Sequence, residues 1–237
     1  MKKNRSFILA LLFSCILTAC GNDASPLAEQ TQPSSPNPQR EEKSLEAAPS
    51  DGNNKAKTLV VYFSQPETND ANKMTKEEDN STVVIDGKVL GNTQYVAYVI
   101  QENTGADIFR IEPEIPYPLD HTTLIDQAKE EQNRKFRPAI KARIENMDQY
   151  GTIFLGYPNW WSDMPMILYT FLEKYDLAGK TIIPFNTHGG SGFSNTVKTI
   201  AELAPEAKVN KNGLTISRNV VQEAEGDIIA WLKDLGY

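Results

Sequence analysis

The chain has 237 residues, with 31 Asp or Glu against 24 Lys or Arg, a formal net charge of −7 at neutral pH. An acidic surface repels nucleic acid and anionic lipid headgroups, so charge attracts the chain to neither. Two cysteines and two histidines are too few for a thiolate framework or a histidine-rich metal site.

Lys2, Lys3 and Arg5 precede the apolar run FILALLFSCILTAC, which is too short for an ordinary membrane-spanning helix and reads as a signal peptide over residues 1–19. Its end, Leu17-Thr18-Ala19-Cys20-Gly21, resembles a bacterial lipobox, in which Cys20 is lipidated and becomes the first mature residue. Plain secretion with an incidental cysteine is the alternative. Cleavage removes three basic residues and no acidic one, so the net charge moves from −7 to −10. Cys15 leaves with the signal and Cys20 carries the lipid, so no thiol remains for a disulfide or for catalysis. Residues 20–57 are rich in Ser, Pro, Asn, Gln and Glu and cannot bury enough apolar surface to offset their ordering entropy. They read as a disordered tether with an r.m.s. reach of about 30 Å. The expected address is extracytoplasmic and membrane-anchored, with one domain over residues 58–237.

In that domain short apolar runs alternate with amphipathic stretches. TLVVYFS (58–64) reads as a strand, and NTQYVAYVIQENTG (92–105) as a helix ending at a Gly. DIFRIEP (107–113) reads as a second strand, followed by a helix over 124–135. GTIFLGYP (151–158) is a third strand, then a helix over 164–175, a fourth strand KTIIPFNTH (180–188) and a helix over 193–204. GLTISR (213–218) is a fifth strand, and residues 220–236 form the closing helix. Five strands alternating with helices predict an α/β, three-layer, doubly wound parallel sheet. Ligands bind such sheets at the carboxyl ends of the strands.

Three loops at that edge are unusual. After Ser64, 26 residues (Gln65 to Leu90) intervene before the helix; within them TVVIDGKVL alternates around Asp86-Gly87, the signal of a hairpin-like excursion. Gly91, Asn92 and Thr93 then start the helix, where free amides and the dipole favour an anion; Ser64 and Thr93 add hydroxyls. A cap that serves only its own helix is the competing reading. The second loop, YPNWWSD, puts Trp160 and Trp161 just past a strand, where adjacent rings would point to opposite faces. Either one packs inward while the other covers a helix end, or one meets a ligand. The third, Asn186–Asn195, has glycines that let backbone approach a flat ligand. It is neither a nucleophile elbow, despite Ser191 and His188, nor a full dinucleotide fingerprint.

An anion site, an aromatic wall and a glycine-rich donor loop together describe a pocket for a flat aromatic with a phosphate tail. Here the chain resembles the flavodoxins, in their short-chain flavodoxin-like branch. VVYFS and LGNTQYVA match the two halves of the first-loop signature, interrupted by the insert, while GYPNWWSDMP and NTHGGSG match the two later flavin loops. The resemblance covers about residues 58–237 and implies strand order 2-1-3-4-5 and non-covalent FMN. It places the phosphate on Ser64, Gly91, Asn92 and Thr93. The ring falls between Tyr157, Pro158, Asn159, Trp160 and Trp161 on one side and Thr187, His188, Gly189, Gly190 and Gly192 on the other. Gln65, Pro66 and Glu67 replace the usual Thr-Gly and are not carried over.

On this reading Trp160, or failing it Trp161, stacks on the flavin, and its burial in an acidic protein disfavours the anionic reduced form. Backbone groups around Pro158 and Asn159 meet the flavin N5. His188 places a donor or a positive charge beside the ring, or else is an exposed loop residue; Tyr117 is a candidate for the flavin edge, and His121 an exposed helix start. The expected function is electron transfer at the outer face of the membrane, with a redox protein or a small acceptor such as a quinone as partner. An FMN-dependent NAD(P)H:quinone-type oxidoreductase is the alternative, favoured by an insert that could cap a substrate slot but opposed by the scarcity of NAD(P)H outside the cytoplasm. A flavin-free binding module on the same fold is the third.

Overall fold

The computed structural model describes residues 56–237; the expected signal peptide, the lipidated Cys20 and nearly all of the tether lie outside the described residues. Strand β1 (Lys57–Tyr62) becomes fully buried along its length, with Val60 and Val61 both at 0% exposure. Burial of consecutive residues requires cover on both faces, the mark of a parallel sheet between helices.

The insert between β1 and the next helix of the main fold has structure of its own. A short helix α1 (Lys76–Ser81) is opened by a capping box between Thr75 and Glu78. Strands β2 (Thr82–Ile85) and β3 (Lys88–Gly91) pair antiparallel, with Asp86 and Gly87 both at positive φ in the turn, the geometry anticipated from Asp-Gly. The chain then enters α2 (Asn92–Thr104), which ends at Gly105 in the left-handed conformation.

The remaining order is β4 (Asp107–Arg110), α3 (His121–Arg134), β5 (Tyr150–Pro158), α4 (Met166–Lys174), β6 (Thr181–His188), α5 (Thr196–Leu203), β7 (Lys208–Val209), β8 (Leu214–Ser217) and α6 (Glu225–Asp234). The sheet order β4-β1-β5-β6, with β7 and β8 both on β6 and every pairing parallel, is the expected 2-1-3-4-5 arrangement. Its fifth member is split. β7 pairs with Thr181 and Ile182, and β8 with Phe185 to His188; the gap falls at Pro184, which has no N–H to donate. Helix α3 starts three residues before the apolar periodicity does, because Asp120 caps it by accepting from the Thr123 amide at 2.9 Å.

Alternation along the strands divides the core in two. Leu59, Val61, Ile153 and Leu155 face α3, α4 and α5 through Leu124, Ile167, Leu168 and Ile200. Val60, Tyr62, Phe154 and Phe185 face α2 and α6 through Val96, Ile100, Ile228 and Leu232. This three-layer packing holds the ends of β1, β5, β6 and β8 side by side.

Candidate binding cavity at the carboxyl edge of the sheet

A cleft of about 220 Å³ opens where those strand ends meet the start of α2. Its first wall follows β1. Ser64 is buried there, with its carbonyl accepting from Arg110 Nη2 at 3.2 Å. Asn92 and Thr93, in the first turn of α2, line the cleft; first-turn amides have no acceptor within their own helix. Thr93 Oγ1 lies 2.8 Å from Thr187 Oγ1, which ties α2 to the end of β6. Asn92 Nδ2 donates to the carbonyl of Asn80, while among the described residues its buried Oδ1 has no partner. Gly91 is not part of the wall. It packs beneath Ser64, so closely that an added Cβ would lie 2.1 Å from Ser64 Oγ.

The second wall explains the paired tryptophans. Trp160 and Asp163 exchange backbone hydrogen bonds of 2.8 and 3.0 Å, closing a turn whose two central residues, Trp161 and Ser162, have φ of 52° and 61°. Both are left-handed without being glycine, a strained arrangement. The turn sends the rings apart. Trp160 stands edge-on to Phe63 and Tyr117, each with centroids 5.5 Å away, and lines the cleft. Trp161, 48% exposed, lies over α3 and also lines the cleft; its Nε1 donates to the Ile125 carbonyl at 3.0 Å and Lys129 Nζ sits 5.2 Å from its ring centre.

Here the expectations for Tyr157 and Tyr117 are corrected and that for the Pro158 and Asn159 backbone is narrowed. Tyr157 is completely buried and shares a 2.7 Å hydrogen bond with Thr196, because its side chain follows Leu155 into the core on the α5 side. The Asn159 amide donates to the Thr187 carbonyl at 2.8 Å and Pro158 has none, so these two residues offer a ligand carbonyl oxygens rather than amides. Tyr117 lies behind Trp160, its hydroxyl donating to the buried Glu131 at 2.8 Å.

The third wall is Thr187, His188 and Gly189. Gly190 and Gly192 shape the loop without lining the cleft. Gly190 adopts φ 133° and donates its amide to His188 Nδ1 at 2.9 Å; Gly192 uses its carbonyl to accept from Asn159 and Asn186. Burial pushes the His188 pKa below the usual imidazole range. With Nδ1 accepting a hydrogen bond, the neutral ring carries its proton on Nε2, so His188 is a donor and not a charge. The charge at this corner belongs to Arg218, just past β8, whose guanidinium lies about a side-chain contact from Gly189: a Cβ there would be 3.1 Å from Arg218 Cζ.

Other wall residues lacked a sequence signal. The insert contributes Gln65, Glu67, Asn80 and Ser81, and α3 contributes an apolar strip including Leu124 and Ala128. His121, expected to be a plain exposed helix start, faces the cleft with Nδ1 2.7 Å from Glu67 Oε2. Among the described residues no group of three or more His, Cys, Asp or Glu could hold a metal ion.

Helix-start amides and hydroxyls, an indole and a guanidinium beside glycine around one cleft suit a ligand with an anionic group and a flat body. The orphaned Asn92 acceptor, in a residue that lines the cleft, fits a hydroxyl donor. The enclosed volume is below the roughly 300 Å³ at which pockets swallow a drug-sized ligand, so part of such a ligand would lie along the mouth.

A doubly wound sheet with this cleft at its topological switch point defines the class: an α/β fold built to hold a ligand over its carboxyl edge. The family model described as Flavodoxin matches residues 81–235, and the chain belongs to the flavodoxin family. Among solved structures it is similar to a candidate flavoprotein from Bacteroides eggerthii, at 30% identity over 76% of this chain and 98% of that one, with a TM-score of 0.57. A second candidate flavoprotein, from Bacteroides uniformis, is 29% identical over 75% and 98% of the two chains, with a TM-score of 0.55. A flavoprotein from Lactobacillus acidophilus in complex with FMN shares the fold at 20% identity, covering 71% and 97%, with a TM-score of 0.51. No curated protein matches the chain by sequence.

Proposed function

We propose that this flavodoxin-family protein binds FMN non-covalently and passes electrons at the outer face of a bacterial membrane, held there by lipid on Cys20 and by the 20–57 tether. The reading rests on one observation: Ser64, Thr93, Trp160 and Arg218 line one cleft although they come from four separate stretches of chain. That the Lactobacillus acidophilus protein of this fold carries FMN supports it.

FMN supplies the one- and two-electron chemistry that no side chain here provides. The chain binds and tunes. First-turn amides of α2 with the Ser64 and Thr93 hydroxyls hold the phosphate. Trp160, braced by Phe63 and Tyr117, offers an apolar surface to the ring and, with the strip from α3, excludes water. Arg218 supplies fixed positive charge at the Gly189 corner, and His188 Nε2–H a neutral donor. A redox protein or a small acceptor such as a quinone receives the electrons. The insert favours a second reading, an FMN-dependent NAD(P)H:quinone-type oxidoreductase, because Gln65, Glu67, Asn80 and Ser81 add a wall to the cleft against which a second substrate could lie.

The test is titration of the full-length chain, in mild detergent, with FMN. Saturable quenching of flavin fluorescence with a shifted visible spectrum is expected. Absence of saturable binding would overturn the proposal and leave a flavin-free binding module. Turnover of NAD(P)H with a quinone by the loaded protein would select the oxidoreductase.

A further inference from the structure

Tyr117 and Glu131 are buried polar groups that the binding of a ligand does not use. Tyr117 stands in the connection between β4 and α3 and is 5% exposed; Glu131, within α3, is 7% exposed. A carboxylate at that depth is ordinarily paired with a cation. Glu131 has two neutral partners instead: the Tyr117 hydroxyl donates to one oxygen at 2.8 Å and Gln127 Nε2 to the other at 3.0 Å. Packing alone does not call for this arrangement, since a phenylalanine and a leucine would fill the same space without desolvating a carboxylate.

On its other side the Tyr117 ring meets the cleft. Its plane stands at 88° to that of Trp160 with centroids 5.5 Å apart, and Phe63 closes a three-ring cluster by standing edge-on to both. Edge-to-face rings at that spacing are in contact. The chain has three tryptophans, and among the described residues only Trp160 packs ring to ring against a tyrosine. An indole that lines the cleft, a buried phenol and a buried carboxylate therefore follow one another without a gap.

We propose that Trp160, Tyr117 and Glu131 form a one-electron relay that draws an oxidising equivalent away from the cleft and holds it on Tyr117. The inference rests on the FMN reading for its oxidant, a light-excited flavin, and goes beyond it by giving these side chains a light-driven redox role separate from the electron transfer proposed above. Trp160 gives one electron to the oxidant and becomes a radical cation. Tyr117 gives one electron to Trp160, which is restored, and the phenolic proton passes along the 2.8 Å hydrogen bond to Glu131 Oε2. The products are a neutral tyrosyl radical, a protonated Glu131 and an oxidant reduced by one electron. Return of that electron to Tyr117, with the proton from Glu131, regenerates the starting state. Burial, reinforced by the Glu131 charge, pushes the Tyr117 pKa well above the usual phenol range, so the ring starts as a neutral phenol. A neutral phenol gives up an electron readily only when a base takes its proton in the same step, and Glu131 is that base.

The test is illumination of the full-length chain with FMN, with ferricyanide present to reoxidise the flavin, followed by freezing and electron paramagnetic resonance. A tyrosyl radical is expected in the natural protein, identified by the narrowing of its signal when the chain carries ring-deuterated tyrosine. Tyr117→Phe, which keeps the ring packing, loses that signal and shows a tryptophan radical in its place. Glu131→Gln, whose amide oxygen still accepts from Tyr117, loses it as well; a hydrogen bond of structural value alone would survive that substitution and leave the signal unchanged. An unchanged tyrosyl signal in either variant overturns the inference, as does bound FMN that yields no Tyr117-dependent radical in the natural protein. If FMN does not bind, a ruthenium polypyridyl photo-oxidant in its place decides the relay separately: a radical lost in Tyr117→Phe and in Glu131→Gln supports the relay while the FMN reading falls, and no Tyr117-dependent radical overturns the relay too.

Discussion

Gly156 offers a test in which two physical effects have opposite signs. It lies in the middle of the sheet, in β5, and its φ is in the ordinary extended range, so alanine there meets no backbone penalty. On conformational entropy alone, Gly156→Ala should stabilise the fold by about 0.4–1 kcal/mol. The structure predicts the reverse. Phe185, the register partner of Gly156 on β6, lays its ring across the glycine, so that an added Cβ would sit 2.1, 2.4 and 2.8 Å from three ring carbons. Real contacts of this kind need well over 3 Å, and the ring, at 0% exposure, is enclosed by the core beneath α2 and α6. Displacing it is overpacking, which costs about 1–3 kcal/mol. The net expectation is a loss of about 1–2 kcal/mol, or a fall in Tm of about 2–8 °C for a domain of this size. Urea denaturation read by circular dichroism gives the number. Phe185→Leu makes room, so a double-mutant cycle should show Gly156→Ala to be better tolerated in that background. An unchanged or raised urea midpoint for the single Gly156→Ala variant would refute the packing argument.

Three further outcomes are expected. Ser162→Gly, at φ 61° on the Trp160–Asp163 turn, should raise stability by roughly 1 kcal/mol by relieving a left-handed non-glycine residue, read as a higher urea midpoint; a lower one would mean the turn is not strained. Arg218→Ala should raise the FMN dissociation constant about tenfold, the scale of one charge-assisted contact, and an unchanged constant would remove Arg218 from the ligand wall. Because the folded pKa of His188 is depressed, the unfolded chain binds more protons, so its contribution to stability is present above the ordinary imidazole pKa of about 6.5 and is lost as pH falls through the folded value. Urea midpoints of His188→Gln should therefore fall less between pH 7 and pH 5 than those of the natural protein, and parallel curves would contradict the assigned burial.

Five of the strands were legible because each is an apolar run bounded by turn residues, and the alternation with helices was enough for a parallel, doubly wound sheet, whose strand order came from the resemblance to the flavodoxins; the two-residue β7 (Lys208–Val209) was too short to show. Asp86-Gly87 announced its hairpin for a local reason, the positive φ that such a turn demands. Helix α1 was not legible: KEEDNS has no apolar face and buries nothing, and it exists through the reciprocal Thr75–Glu78 cap. The sequence placed the three candidate ligand loops at one edge, and Ser64, Asn92, Thr93, Pro158, Asn159, Trp160, Trp161, Thr187, His188 and Gly189 do share a cleft. What it could not show is which residues within a loop face inward. Tyr157 and Gly91 sit beside true wall residues but turn away, Tyr157 by strand alternation and Gly91 because Ser64 fills the space above it. Arg218, Glu67 and His121 reach the cleft only through tertiary packing of β8, the insert and α3. Arg218 had one available clue, its position one residue past the carboxyl end of the fifth strand.

The insert shows why a phosphate signature can be cut in two without moving its halves. Ser64 is fixed by β1, whose two neighbours β4 and β5 hold it in register, and Gly91 by the close approach to Ser64 that only a glycine permits. The chain between them leaves and returns over a short distance, and the entropic cost of lengthening such a loop grows only logarithmically. The hairpin and the capped α1 offset part of that cost by ordering the excursion, and β3 delivers the chain straight into the first turn of α2. The position of the proposed anion site is therefore a property of the sheet, while the insert residues that line the cleft, Gln65, Glu67, Asn80 and Ser81, are open to change. This is why the difference from the family signature falls on the chemistry of the cleft and not on its location.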